Sequence, residues 1–158
     1  MFTTIITPVD GSREAELALE YAIALKRTNG AELKIVWVIP RPEPIQGHPH
    51  GGHTPLVCRF RSEEIEKDEE RAWVYMEGLE RRFDLGDSTA MIVRVGDLTH
   101  QTTILAEACE HPLMILAARH GSENALNQNV AQHLVADATV PVLAIPISQE
   151  MLAASPKR

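Results

Sequence analysis

Short apolar segments alternate along this chain with longer amphipathic ones. The first, residues 3–9, is rich in Ile, Thr and Val, a composition typical of a buried parallel strand. Similar segments recur downstream, at residues 33–38, 89–95, 113–118 and 140–145. Helical spacing of apolar residues appears between them, from Ser12 to Gly30 and at residues 62–83, 98–110 and 124–138. Because strands joined through helices need right-handed crossovers, this alternation predicts one α/β domain with an open parallel sheet covered on both faces.

The first predicted helix has signals at both ends. Ser12 is a good N-cap, and Glu14 and Glu16 suit the positive end of the helix dipole. Asn29 and Gly30 are typical of a helix end. The helix is therefore expected to begin directly after the first strand and its turn.

Proline and glycine are concentrated in residues 39–61, which also contain several histidines. This composition predicts a long loop within the domain, and loops of that length are usually functional or mobile. Residues 147–158 are expected to form a polar C-terminal tail, which leaves residues 1–146 as the folded domain.

Composition narrows the class of protein. The chain has 158 residues, 44% of them hydrophobic and 23% charged, which fits one ordinary globular domain. The formal net charge of −7 argues against a binder of nucleic acid, because such proteins neutralise phosphates with Lys and Arg. We expect no secretory signal, and no apolar run reaches the roughly 18 residues of a membrane span. The two cysteines lack CxxC spacing and are expected to be free thiols in the cytoplasm.

The carboxyl ends of the predicted strands are the expected place for a ligand. In open parallel sheets, ligands bind there at the point where the strand order reverses. Asp10 follows the first strand, Val38 ends the second, and His120 and Gly121 follow the fourth. These turns would meet in one crevice if the first and fourth strands are neighbours.

Five segments, in this order, resemble the universal stress protein family. They are residues 8–12 (Pro-Val-Asp-Gly-Ser), 95–97 (Val-Gly-Asp), 116–121 (Leu-Ala-Ala-Arg-His-Gly), 130–132 (Val-Ala-Gln) and 140–145 (Val-Pro-Val-Leu-Ala-Ile). The resemblance extends over about residues 1–146. It implies a Rossmann-like sheet of the adenine-nucleotide-hydrolase type with strand order 3-2-1-4-5, and a pocket for ATP or AMP. The pocket residues that it implies are Pro8, Val9, Asp10, Val38, Ala118, His120, Gly121, Gln128, Asn129 and Val130.

The phosphate-binding part of this pocket departs from the family pattern, in which two glycines and a later Gly-Ser or Gly-Thr pair hold the phosphates. Ala118 replaces the first glycine and Gly121 keeps the second, whereas Gln128 and Asn129 take the place of the later pair. Six residues separate Gly121 from Gln128, three fewer than in the family. Since these glycines let backbone N–H groups approach phosphate oxygens, the sequence predicts a nucleotide pocket whose phosphate loop is degraded.

Asp10 has two compatible interpretations. The resemblance implies that its carboxylate accepts hydrogen bonds from a ribose or an adenine. At the start of a helix, a carboxylate also accepts hydrogen bonds from backbone N–H groups.

The function predicted from these features is a non-catalytic, dimeric regulatory module of the stress response with an eroded nucleotide pocket. No Ser/His/Asp or Cys/His set is recognisable in the sequence. The alternative is a working ATP- or AMP-binding stress protein, with slow hydrolysis or none, that uses Asp10, Val38, Gly121 and Asn129.

The last predicted strand, from Val140 to Ile145, is strongly apolar for the edge of a sheet. The family resemblance implies a homodimer that is paired two-fold and antiparallel through this strand. The competing possibility is a monomer in which the C-terminal tail covers the edge.

His48, His50 and His53 raise a second alternative, a metal-binding module. Imidazoles at such short spacing can share a zinc, nickel or copper ion, and Cys58 or Glu43 would be needed to complete a tetrahedral site. The competing interpretation is a mobile polar segment with incidental histidines, because ordering such a loop costs conformational entropy.

Overall fold

The computed structural model describes residues 1–41, 55–119, 134–136 and 138–154. Its helices and strands are β1 (Thr4–Val9), α1 (Arg13–Asn29), β2 (Glu32–Ile39), α2 (Pro55–Phe83), β3 (Thr89–Val95), α3 (Leu98–Glu107), β4 (Pro112–Arg119), β5 (Val142–Ile147) and α4 (Gln149–Ala154). The five strands form one parallel sheet in the order β3-β2-β1-β4-β5, which confirms the predicted fold class and strand order. Within these ranges, no helix has the length and apolarity needed to cross a lipid bilayer.

Helices cover both faces of the sheet. On one face, α1 and α2 pack against a core cluster that contains the fully buried Ile5 and Leu33. On the other face, α3 packs against a second cluster that contains Ile6 and Leu134. Leu134 belongs to residues 134–136, the described part of the helix predicted at 124–138. Because side chains alternate along a strand, neighbouring residues of β1 serve different clusters, here called the α1-side core and the α3-side core.

The predicted ends of α1 are confirmed. The Ser12 hydroxyl oxygen accepts a hydrogen bond from the Ala15 amide at 3.2 Å, as an N-cap does. At the other end, the Gly30 amide donates to the Lys26 carbonyl at 2.9 Å, and Gly30 has a left-handed φ of 68°. The Ser12 cap places the start of α1 directly beside the carboxyl end of β1.

The loop predicted at 39–61 is wrong at both ends. Ile39 still belongs to β2, and α2 begins at Pro55 instead of Ser62. A proline is tolerated in the first turn of a helix because its missing N–H has no helical partner there. The proline that was interpreted as part of the loop therefore marks the beginning of the helix.

The last strand and the C-terminal tail also differ from the prediction. Pro141 has no N–H to donate to β4, although its carbonyl accepts a hydrogen bond from the Met114 amide at 3.0 Å. β5 therefore begins at Val142 and not at Val140. The strand continues to Ile147, which is buried in the α1-side core. Residues 149–154 form α4 because Met151 and Leu152 add apolar surface to that core.

The outer edge of β5 is defined by its pairing with β4. Since the Met114 amide donates to the Pro141 carbonyl, the odd-numbered residues of β5 direct their backbone groups to β4. Val142, Ala144 and Pro146 direct theirs to the opposite side. In the part of the chain that the structure describes, no strand pairs with this outer edge. Pro146 occupies a position where its missing N–H removes no hydrogen bond to β4.

Candidate functional site

The sheet opens between β1 and β4 at their carboxyl ends. These strands pair only from Thr4 with Pro112 to Ile6 with Met114. In contrast, β1 stays paired with β2 as far as Val9, and β4 stays paired with β5 to its end. The two central strands therefore separate at the point where the strand order reverses, which is where open α/β sheets bind ligands.

Three of the predicted pocket residues lie on one face of this opening. Pro8, Val38 and Ala118 each come two residues after a member of the α3-side core, so they share that face of the sheet. All three are half-buried. The side chain of Val9 points the other way and is buried in the α1-side core. Only the backbone of Val9 is therefore available to a ligand on the α3 side.

Asp10 forms a tight turn between β1 and α1. Its Oδ1 accepts a hydrogen bond from the Ser12 amide at 2.9 Å, as expected of a carboxylate at the start of a helix. Gly11, between them, has a φ of 79°, which a side chain would make unfavourable. Asp10 is exposed, and a carboxylate offers about four lone-pair sites, so it can accept from a ligand at the same time.

An aromatic pair covers the α1 side of the sheet beneath the turn of residues 10–12. Trp37 of β2 packs on the α1-side core, and its ring centroid lies 5.1 Å from that of Tyr75 in α2, with the planes 58° apart. A Cβ built on Gly11 would lie 3.3 Å from Trp37 Cη2, so the indole lies directly under the turn of Asp10. In the described residues, the opening is therefore blocked from the α1 side, which leaves the α3 side as the face for a ligand.

Glu16, a buried carboxylate in the first half of α1, anchors this aromatic pair. The Tyr75 hydroxyl donates to its Oε1 at 3.0 Å, and the Arg82 guanidinium donates to both oxygens at 2.8 and 3.3 Å. Arg13 lies 3.6 Å from Oε2. Burial alone would raise the pKa of Glu16, but the hydrogen bonds from Arg82 and Tyr75 and the charges of Arg82 and Arg13 outweigh it and lower the pKa.

This network was not predicted from the sequence. Glu16 was assigned only to the helix dipole, since the two residues that hydrogen-bond to it are 59 and 66 positions away along the chain. One signal was present: Glu16 lies within the apolar run that α1 buries, and a buried carboxylate needs a partner.

The remaining predicted site residues lie outside the described parts of the chain. For the nucleotide pocket these are His120, Gly121, Gln128, Asn129 and Val130, and for the metal site His48, His50 and His53. The described ranges contain no group of three His, Cys, Asp or Glu side chains that could hold a metal ion. The degraded phosphate loop and the histidine site therefore remain predictions from the sequence.

Thr7 is a buried polar residue at the beginning of the opening. It is the first residue of β1 beyond the pairing with β4, and none of its surface is exposed. Within the described residues, its hydroxyl oxygen has no hydrogen-bond partner. Such an unpaired buried hydroxyl reduces the stability of the fold.

We expect Thr7→Val to raise the free energy of unfolding by about 1 kcal/mol, because a methyl group replaces a hydroxyl that has lost its hydration. Urea denaturation measures the change. The matched control is Thr102→Val in α3, where the equally buried hydroxyl donates to the Leu98 carbonyl at 2.7 Å. The control should show no gain. A loss of stability in Thr7→Val would mean that its hydroxyl has a partner in solution.

Comparison with known proteins agrees with this architecture. The model of the universal stress protein family matches residues 1–146. Among solved structures, the universal stress protein UspA from Lactobacillus plantarum is 20% identical, with a TM-score of 0.74 over 91% of this chain and 97% of that chain. The hypothetical protein MJ0577 is 24% identical, with a TM-score of 0.73 over 94% of this chain and 99% of that one.

A third similar structure is a universal stress protein in complex with cAMP. It is 16% identical, with a TM-score of 0.61 over 93% of this chain and 99% of that chain. At these identities the likeness of the structures shows the shared fold. The family model, in contrast, spans most of the sequence and the motifs at the carboxyl ends of the strands. This chain belongs to the universal stress protein family.

Proposed function

We propose that this chain is a non-catalytic, nucleotide-responsive stress protein that holds an adenine nucleotide mainly through its adenosine part. The opening between β1 and β4 carries the proposal. Pro8, Val38 and Ala118 offer half-buried apolar contacts on one face of that opening. Asp10 adds an exposed acceptor at its end, suited to ribose hydroxyls or to an adenine amino group.

The phosphate part of the pocket is proposed to be weak. Ala118 stands where the family has the first glycine of the phosphate loop, and the loop after Gly121 is shorter. With fewer backbone N–H groups able to approach the phosphates, each additional phosphate adds little affinity. A similar universal stress protein has been solved with cAMP, a nucleotide that has a single phosphate. This supports an adenosine-centred mode of binding.

The direct test is calorimetry with AMP, ADP and ATP in the presence of magnesium. We expect AMP and ATP to bind with affinities within about tenfold of each other. Asp10→Asn should weaken both about tenfold, because the amide keeps an acceptor oxygen but loses the charge that strengthens a hydrogen bond by about 1–1.5 kcal/mol. The matched control is Asp97→Asn at the end of β3, whose Oδ1 accepts from the His100 amide at 2.9 Å. It should leave binding unchanged.

Three results would contradict this proposal. ATP affinity far above AMP affinity would mean that the phosphate loop works. No binding of any of the three nucleotides would mean that the whole pocket is eroded. Steady release of inorganic phosphate by the purified wild type, lost in Asp10→Asn, would indicate an enzyme.

We also propose that the chain forms a homodimer by antiparallel pairing of β5 with β5 of a second copy. Val142 and Ala144 direct their N–H groups to the outer edge, and the strand is apolar. The tail helix α4 packs on the α1-side core through Met151 and Leu152. It adds no strand to the edge, which supports pairing with a second copy over coverage by the tail.

A further inference from the structure

The turn of residues 10–12 has an aromatic support that sequence motifs do not reveal. Trp37 Cη2 lies 3.3 Å from where a Cβ of Gly11 would be, and Trp37 Cζ3 lies 3.6 Å from it. Even a single added Cβ at Gly11 would make an unusually tight contact with the indole, so the turn packs closely on the ring. The position of the ring determines how far the turn can move toward the core.

Trp37 is held by groups that cannot easily move. Its neighbour Tyr75 is fixed at the ring by Trp37 and at the hydroxyl by Glu16. Glu16 in turn receives two hydrogen bonds from Arg82. Charge-assisted hydrogen bonds in a buried site are strong and directional, so the network specifies one geometry. A continuous series of contacts thus leads from α2 to the turn of Asp10.

Asp10 is also close to this network electrostatically. Burial raises the pKa of Tyr75, and the charge and hydrogen bond of Glu16 raise it further. The negative charge of Asp10 adds to the same shift. This contribution is the smallest of those acting on Tyr75, and it places the Asp10 carboxylate within electrostatic range of the Tyr75 hydroxyl.

We infer that Trp37 and Tyr75 are positioning residues for Asp10, which hold the turn of residues 10–12 so that its carboxylate is presented at the β1–β4 opening. Neither residue touches the proposed ligand, because both lie on the α1 side of the sheet. The effect on nucleotide affinity rests on the proposed function, whereas the ordering of the turn in the ligand-free protein does not.

Amide hydrogen exchange, measured by NMR on the ligand-free protein, tests the ordering of the turn. The probe is the Ser12 amide, which donates to Asp10 at 2.9 Å. The internal reference is the His100 amide, which donates to Asp97 in a similar turn away from Trp37. We expect Trp37→Leu to speed exchange at Ser12 about fivefold relative to His100, since an aromatic pair contributes on that scale.

Tyr75→Phe is the second variant, because it removes one hydroxyl and keeps the ring, so the protein should remain folded. It should change the ratio of the two exchange rates in the same direction. The matched controls are Trp73→Leu and Tyr21→Phe, whose side chains are 45% and 44% exposed on α2 and α1. They should leave the ratio at its wild-type value. A wild-type ratio in Tyr75→Phe and in any folded Trp37→Leu would overturn the inference, as would equal acceleration at both amides.

Nucleotide affinity provides the second measurement. If wild type binds AMP, Trp37→Leu should weaken binding about fivefold, and the loss should disappear when Asp10 is already Asn. A loss that persists in the Asp10→Asn background would contradict positioning through Asp10. If wild type binds no AMP, the proposed function fails, and the exchange ratio alone decides whether Trp37 and Tyr75 order the turn.

Discussion

Ala144→Pro is expected to convert the proposed dimer into a monomer, with dimer affinity reduced about 100-fold. Ala144 directs its N–H to the outer edge of β5, where the second copy would pair. Proline removes that donor from both copies and places its ring at the interface. The hydrogen bonds to β4 involve the odd-numbered residues and are retained. Sedimentation should then show a single species of 17.5 kDa.

Leu143→Pro is the matched control for this substitution. Leu143 directs its backbone to β4, so proline there removes a hydrogen bond within the fold. The control should lower the melting temperature, whereas Ala144→Pro should change association with little change in the stability of the monomer. A wild type that is already monomeric, or an Ala144→Pro protein that dimerises as strongly as wild type, would contradict pairing through β5.

Arg82→Met should lower the free energy of unfolding by about 2 kcal/mol. The substitution keeps most of the side-chain volume and removes the group that donates two hydrogen bonds to buried Glu16. Loss of one partner from a fully buried ion pair costs about 3–5 kcal/mol, because the remaining charge is left without compensation. The Arg82 side chain is 32% exposed, so solvent screens part of that effect and we expect the smaller value. Urea denaturation at neutral pH measures it.

Arg71→Met on the same helix is the matched control. Arg71 pairs with Asp68 at 3.2 Å, but their side chains are 78% and 47% exposed, so less than about 0.5 kcal/mol should be lost. Adding Glu16→Gln to Arg82→Met should restore part of the stability, because it removes a buried charge that Arg13 and Tyr75 alone compensate less well. Similar losses for Arg82→Met and Arg71→Met would show that the buried pair stabilises the fold no more than the exposed pair does.

The loss of stability in Arg82→Met should depend on pH. The pKa of Glu16 is lowered in the folded protein, so its ionised form stabilises the fold above the usual value of 4.5. That contribution is lost as the pH falls through the lowered pKa. The difference between wild type and Arg82→Met should therefore be full near neutrality and shrink in acid.

Local signals in the sequence were enough to predict much of the fold. Ser12 and Gly30 marked the ends of α1 because capping depends on residues close in the chain. The segment 89–95 matched β3 because a short β-branched run bounded by glycines has few other interpretations. The strand order was obtained from the family resemblance, because crossover helices alone do not specify which strands are neighbours.

Proline accounts for the errors at element boundaries. Pro55 begins a helix, although it was interpreted as part of a loop, and Pro141 precedes β5, although it was placed inside the predicted strand. Whether a proline ends an element depends on whether its missing N–H would have had a partner, and that is a property of the three-dimensional pairing. Ile147 was assigned to the polar tail, but β5 continues to it through Pro146, whose missing N–H removes no hydrogen bond to β4.

The candidate site was predictable only on its ligand-facing side. Asp10, Pro8 and Val38 follow or end strands, so topology places them at one opening. The support behind them depends on Tyr75 and Arg82, which come from a helix far along the chain. Such contacts leave no periodic signal, and only the unexpected carboxylate of Glu16 within an apolar run indicated that a partner existed.

Pro146 limits what the exposed edge of the sheet can become. A foreign strand that adds to β5 from Val142 onward meets a residue without an N–H after two donors, so hydrogen bonding cannot extend along the full strand. Long apolar edges are templates for fibrous aggregation, and natural proteins commonly interrupt them with proline or charge. Pairing through this edge is therefore limited to the short stretch from Val142 to Ala144, which suits a single partner strand and is too short to seed an amyloid-like stack.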